Sequence, residues 1–286
     1  MFGESNLIIE AREALIDAVE ALGTQAKSLI LVGAQAIYLH TDQLELVVAP
    51  ATKDSDFAID SRSLDDDPVL EEKLSAAGFM RDPISRNPGA WINVKGIPVD
   101  FMVPAKLVST KSRRSANLNP HADYVARKTE GLEAALLDND VREIKSFSPL
   151  SSRSCRVAVA GPAALLVAKL IKVGERIDQS RISSDKDSYD IFRIFEVVDI
   201  ANLVSKFVEF SENELTEVVV GKALEVLALH FASSQEAYGP ASAGRVEYGI
   251  GNPDEISARL WAYSVQFLQI LEKNSSATSG VTRDSK

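Results

Sequence analysis

The sequence predicts an α/β (α+β) fold: an N-terminal core with a mixed sheet, followed by an all-α C-terminal region. Three observations carry this. Short apolar runs that read as strands, such as Leu29 to Val32 and Ile97 to Val103, all lie before Gly161-Pro162. Beyond Pro162 the apolar residues recur mostly at helical spacing as far as about Glu272. Proline is favourable in a first helical turn, where its missing amide would lack a partner in any case. Pro162 therefore marks the change of class.

The elements follow in order. Leu7, Ala11, Ala14, Leu15, Ala18, Val19 and Leu22 share one face of a helix over Asn6–Leu22, with Gly23 as its stop. Ser28–Val32 reads as a buried strand and Ala34–His40 as the next helix. Leu44–Val48 and Asp56–Ile59 are strand-like. Pro68–Ala77 reads as a helix ending at Gly78, and the acids Asp65 to Asp67 ahead of it read as capping and solvating groups. Trp91–Val94 and Ile97–Val103 form a hairpin across Lys95-Gly96. A polar stretch over 105–120 surrounds Lys111-Ser-Arg-Arg114. Tyr124–Leu137 reads as a helix, and Val141–Ile144 and Arg156–Val159 as strands. Pro162–Val173 opens the helical region, which breaks near Tyr238–Pro253. The tail Asn274–Lys286 is polar and expected to be disordered. The expected domains are 1–160, carrying a basic insert over 105–140, then 161–273 as a helical domain, then the tail 274–286.

Composition excludes several classes. The 286 residues are 45% hydrophobic and 25% charged, ordinary for a globular protein with a sizeable core. A single cysteine, Cys155, leaves no internal disulfide and no cysteine-rich zinc site; it reads as a small core residue. No apolar run approaches the ~20 residues of a membrane span. Met1 to Asn6 lacks a basic segment followed by an apolar one, so the chain is expected to be cytoplasmic with no membrane partner. The net charge of −10 argues against a general basic coat, but residues 105–160 carry 10 basic and 6 acidic side chains. A local basic surface can hold phosphates even on an acidic protein.

The chemistry gathers around a glycine and three aspartates. The apolar run Leu29 to Val32 ends at Gly33, and Asp54 and Asp56 stand two apart at the head of the next run. Residues two apart on a strand face the same way, so both carboxylates project to one spot within reach of a divalent cation. Asp100 lies between Val99 and Phe101, where an unpartnered carboxylate is costly and a shared metal would relieve the cost. Each feature alone has a plainer reading: a solvated strand edge, a strand-to-helix turn, a strand-end residue. The ordered set points to phosphoryl chemistry.

Taken together, these residues resemble the nucleotidyltransferase superfamily of the DNA polymerase β type. The shared pattern is a strand, a small-residue turn, a helix, a D-x-D strand and a later acid. Gly33-Ala34 stands where that superfamily carries Gly-Gly or Gly-Ser. A second constellation narrows the likeness. Lys169 sits in the apolar helix Ala163 to Lys172, and Arg176 and the segment Asp185-Lys-Asp-Ser-Tyr-Asp190 follow. A lysine among apolar residues needs a partner or a ligand. A lysine helix followed by K-D-x-Y-D is similar to the AbiEii-type nucleotidyltransferases, a family that includes toxins of type IV toxin–antitoxin systems and the MenT toxins. The likeness covers roughly residues 25–195.

The resemblance implies a Mg²⁺-dependent enzyme that moves a nucleotide from an NTP to an acceptor hydroxyl and releases pyrophosphate. Asp54, Asp56 and Asp100 are the implied metal ligands. Gly33, Ala34, Thr52 and Lys169 are the implied nucleotide-binding positions, and Asp56, Lys169, Asp187 and Asp190 the catalytic ones. Lys111, Arg113 and Arg114 are placed to hold an RNA acceptor, with the tRNA 3′ end first in line and a cognate antitoxin as a further partner. Two other classes stay open: a transferase acting on a small-molecule or protein hydroxyl, and a non-catalytic nucleotide- or RNA-binding module. The Gly33-Ala34 turn keeps the last one alive.

Overall fold

A computed structural model describes residues 2–44, 46, 52–108, 114–179 and 185–281. The chain divides into two compact units, Met1–Leu39 with Ala49–Leu165, and His40–Val48 with Leu166–Lys286. The strand expected over Leu44–Val48 falls largely outside the described residues, as do Lys111 and Arg113.

The first unit is a mixed sheet with helices. Helix α1 spans Phe2–Leu22, and its apolar stripe, including Ala11, Leu15, Val19 and Leu22, is buried. Strand β1 (Leu29–Val32) is apolar throughout and buried at all four positions. Helix α2 (Gly33–His40) follows without an intervening loop. Then come β2 (Ser55–Ile59), α3 (Leu70–Ala76), β3 (Met80–Arg81), β4 (Ala90–Ile92), β5 (Pro98–Pro104), β6 (Arg127–Thr129), β7 (Asn139–Lys145) and β8 (Ser154–Ala160). The sheet order is β3-β4-β5-β2-β1-β8-β7, with β6 beside β5. Strand β2 runs antiparallel to β1 and parallel to β5. Helix α4 (Pro162–Asp178) begins at the proline singled out from the sequence. Asp138 Oδ2 accepts the Ala164 amide in its first turn. Cys155 is buried, as a core residue should be, and burial pushes its thiol up to about 11.

Register decides where the chemistry lies. Val32 pairs with Asp56 across β1–β2, and Asp56 pairs with Asp100 across β2–β5. The strand period of two then puts Phe57 and Phe101 on the opposite face. Their rings stack there at 5.6 Å, both buried. One sheet face is thus aromatic core, and the other carries adjacent carboxylates.

Two expectations in this unit are corrected. Tyr124–Leu137 is not a helix: it forms β6 and then a 3₁₀ turn at Glu133–Leu136. Gly131, at φ +94, separates the two and cannot continue a right-handed helix in that conformation. The described part of the stretch 105–140 also supplies core residues, among them Ala116, Leu118, Val125, Ala126, Leu132 and Ala134. The acids Asp65 to Asp67 do not cap α3. Its N-cap is Val69, with no side-chain bond. The His121 ring takes that role: Nδ1 accepts the Leu70 amide at 3.2 Å and Nε2 lies 3.1 Å from the Asp65 carbonyl. Asp65 instead pairs with Lys27.

The second unit is helical: the remainder of α4, then α5 (Asp185–Val197), α6 (Ile200–Ser211), α7 (Glu217–His230), α8 (Tyr238–Arg245) and α9 (Pro253–Val281). Among the described residues no strand follows Ala160. The Asp199 carboxylate caps α6 by accepting the amides of Ala201 and Asn202. Phe267 of α9 sits edge-on to Phe207 at 4.9 Å and to Phe195 at 6.2 Å, which ties α5, α6 and α9 into one core. The break expected at Tyr238–Pro253 is narrower, since α8 fills its first half. Helix α9 also runs past Glu272 to Val281, into the segment expected to be a disordered tail.

Candidate active site

Strand β1 ends at Val32, and Gly33 turns directly into α2 with φ +70. That conformation is strained for any residue with a side chain. Space imposes glycine as well: a Cβ built on Gly33 would lie 2.2 Å from Asp56 Oδ2. The Asp56 carboxylate therefore rests directly on the turn, beside the first residue of α2. Helix N-termini present unpaired amides and favour anions, phosphates included.

Asp54 lies one residue ahead of β2 and is exposed. Buried Thr52 donates its hydroxyl to Asp54 Oδ1 at 2.6 Å. Thr52, expected at the nucleotide, thus acts on Asp54. Asp100 has a counter-ion in the chain: Arg127 Nη1 donates to its Oδ2 at 2.7 Å. Arg127 is held in turn by β6, which pairs Met102 with Arg127, and Arg127 Nη2 donates to Met102 Sδ at 3.2 Å. Gly89 lets the strands close on this pair, since a Cβ there would lie 2.1 Å from the Phe101 carbonyl oxygen. The cost expected for Asp100 is thus met by a cation of the protein itself.

Does a hard cation fit? Mg²⁺ is commonly held by one or two carboxylates together with substrate phosphates. Asp54 and Asp56 supply that donor chemistry beside a helix N-terminus. Among the described residues no three His, Cys, Asp or Glu side chains are grouped to hold a metal ion. The donor set suits an ion shared with a substrate, not an all-protein cage.

Sequence reasoning missed the support beneath this site. Gln35 Nε2 donates to Ser55 Oγ at 2.6 Å and to the Asp54 carbonyl at 3.2 Å. Arg12 Nε donates to Gln35 Oε1 at 2.9 Å. Arg12 Nη1 reaches the Lys145 carbonyl, and its guanidinium lies 4.0 Å from the Phe147 ring centre. Burial lowers the Arg12 pKa to about 10, which still leaves it charged at neutral pH. The signal was present: Arg12 lies at helical spacing from Ile8, Leu15 and Val19, on an apolar stripe where an arginine needs a reason.

The second constellation lies within the helical unit. Lys169 Nζ on α4 is 2.7 Å from Asp187 Oδ1 and 2.7 Å from Asp190 Oδ2 on α5. All three are buried, with relative exposures of 6%, 4% and 1%. Burial alone would lower the lysine's pKa and raise that of Asp187. Their mutual attraction overrides it, and holds Lys169 well above and Asp187 well below the ordinary range. The partner that Lys169 needs is internal. Exposed Lys172 and half-buried Arg176 also reach Asp187, at 3.3 and 2.5 Å. The plain reading of Asp187 and Asp190 as solvated helix charges is excluded, because residues 187–195 are buried without interruption. Arg114 is exposed, and its carbonyl accepts the Lys128 amide beside β6.

A small-residue turn against a D-x-D pair on a mixed sheet sets a helix N-terminus and two carboxylates at one strand-to-helix junction. A family model described as nucleotidyltransferase matches residues 10–209, and the chain belongs to that family. The match spans both constellations. A solved H. pylori chain described as a candidate nucleotidyltransferase covers 92% of this chain and 96% of its own, at 12% identity. Its TM-score of 0.29 is too low to transfer any residue. No curated protein matches. No helix among the described residues is long and apolar enough to cross a membrane.

Proposed function

We propose that this nucleotidyltransferase is of the AbiEii/MenT type and transfers a nucleotide from an NTP to an RNA hydroxyl, with the tRNA 3′ end as the leading acceptor and growth arrest as the outcome. The observation that carries the reading is the Asp56 carboxylate lying on Gly33, at a turn where a side chain has no room. Asp54 and Asp56 are the residues that would hold Mg²⁺, with Asp100 next to Asp56 in register as the third acid. When bound, the ion supplies charge neutralisation for the substrate phosphates.

The chain's own groups do the rest. The backbone at Gly33 and Ala34 offers amides to phosphate oxygens. Thr52 holds the Asp54 carboxylate in one rotamer. Lys169 keeps Asp187 ionised and holds Asp190 in place, and Lys172 and Arg176 add positive charge at the exposed side of that cluster. Lys111, Arg113 and Arg114 hold the acceptor backbone, a contact that positions without reading sequence.

The test is incubation with each α-labelled NTP, Mg²⁺ and total RNA. Label should enter a discrete RNA with the wild-type protein and not with Asp56→Ala. Label that enters a small molecule or the protein itself moves the acceptor to another class. If no NTP labels anything, and Asp56→Ala still arrests growth, the protein works by binding alone.

A further inference from the structure

We propose that Gln35 is a positioning residue for the D-x-D segment: it sets the main chain at Asp54 and so the geometry of the carboxylates that would hold a divalent cation. The inference rests on the metal-site reading of Asp54 and Asp56.

Asp54 needs outside help. Among the described residues the ladder of β2 begins after it, at Ser55 opposite Val99, and no strand pairing includes Asp54. Its carbonyl accepts from Gln35 Nε2 at 3.2 Å, with Thr52 Oγ1 more distant at 3.5 Å. The same Gln35 amine donates to Ser55 Oγ, which donates onward to the Ala11 carbonyl at 3.0 Å. Both Nε2 hydrogens are thereby used.

The orientation of that amide is not arbitrary. A guanidinium only donates, so Arg12 Nε forces Oε1 of Gln35 to face it. The Nε2 end must then face Asp54 and Ser55. Arg12 is itself fixed by the Lys145 carbonyl and the Phe147 ring. The chain of contacts runs from α1 through α2 to the first residues of the D-x-D segment. Arg12 and Gln35 are each 2% exposed, and Ser55 is fully buried. A buried charge and a buried amide are costly unless every partner is present. The arrangement makes sense if its product is the fixed pose of a neighbour. Groups that orient metal ligands typically change metal affinity about 10–100-fold when removed.

Substitution at this position separates the two ends. Gln35→Glu keeps an acceptor for Arg12 and adds a countercharge to the buried guanidinium. It loses both donors and sets an oxygen against the Asp54 carbonyl. Gln35→Met removes every bond without adding charge. Mn²⁺ binding to the full chain is measured by electron paramagnetic resonance of the free ion, and melting temperature is recorded for each variant. Asp56→Ala is the reference for loss of the site. The expected result is a folded Gln35→Glu protein whose Mn²⁺ binding is about 10-fold weaker or more, out of proportion to its fall in melting temperature, and equal or greater loss for Gln35→Met. Wild-type affinity in either folded variant overturns the inference. Affinity that falls only in step with melting temperature does so too, because Gln35 is then structural alone. If Asp56→Ala binds Mn²⁺ as well as wild type, the metal-site reading itself is wrong, and the role of Gln35 falls with it.

Discussion

At the scale of single residues, each functional position is answerable to a named neighbour. Gly33→Ala must move the Asp56 carboxylate, because the added Cβ has no room beside Oδ2. A non-glycine residue in that backbone region also carries about 1–3 kcal/mol of strain. The variant should lose nucleotide transfer as fully as Asp56→Ala while its melting temperature falls only moderately; labelled-NTP incorporation and calorimetry check the two parts. Lys169→Met strands two buried carboxylates. Removing one partner of a buried ion pair costs about 3–5 kcal/mol, a loss that urea denaturation at neutral pH would read. The pH dependence has a definite sign. Asp187 titrates below its ordinary value of 3.8 in the folded state. Its contribution is complete above that value and is lost as pH falls through the lowered one. Wild-type stability should therefore drop on acidification below about pH 4, and the Lys169→Met variant should show a shallower drop.

At the scale of elements, the segments that read correctly were those whose periodicity and packing agree. The Leu29–Val32 strand, the α2 turn, the β5 run and the Pro162 helix start all combine apolar runs with a glycine or proline that ends them. The D-x-D pair and Asp100 were legible because carboxylates at the head of, or inside, an apolar run stand out. What failed was local propensity without context. The Ala- and Leu-rich stretch after Tyr124 favours helix, but pairing with the C-terminal residues of β5 claims Arg127–Thr129 and the Gly131 conformation ends the matter. The cap on α3 was illegible for another reason. His121 is 51 residues away from Leu70 in sequence, and nothing near the helix points to it. Gln35 went unread likewise, since its partners come from α1 and from the start of β2. Because Nδ1 of His121 accepts an amide, the ring must carry its proton on Nε2, which then donates to the Asp65 carbonyl. His121→Ala should cost about 2–3 kcal/mol through two lost bonds and a small cavity, measured as a lower urea midpoint. Nucleotide affinity in the folded fraction should hold steady.

At the scale of the whole molecule, the proposed RNA acceptor would have to bind a chain of net charge −10 through local cations only. Acceptor binding should then weaken steeply with salt, because each neutralised phosphate releases counter-ions. Fluorescence anisotropy of labelled tRNA across a salt series checks this, and Arg113→Ala with Arg114→Ala should flatten the slope more than it alters NTP affinity. A flat salt profile favours a small acceptor. The pairing of Asp100 with Arg127 bears on how the protein lives between turnovers. Two carboxylates side by side on neighbouring strands repel, and many proteins wait for an ion before such a surface can assemble. Here an arginine from a third strand already stands in as resident countercharge. Under the proposed metal role, folding of this surface would not depend on the ion, because Arg127 already balances Asp100. Exhaustive chelation should therefore silence the protein and leave its melting temperature where it was.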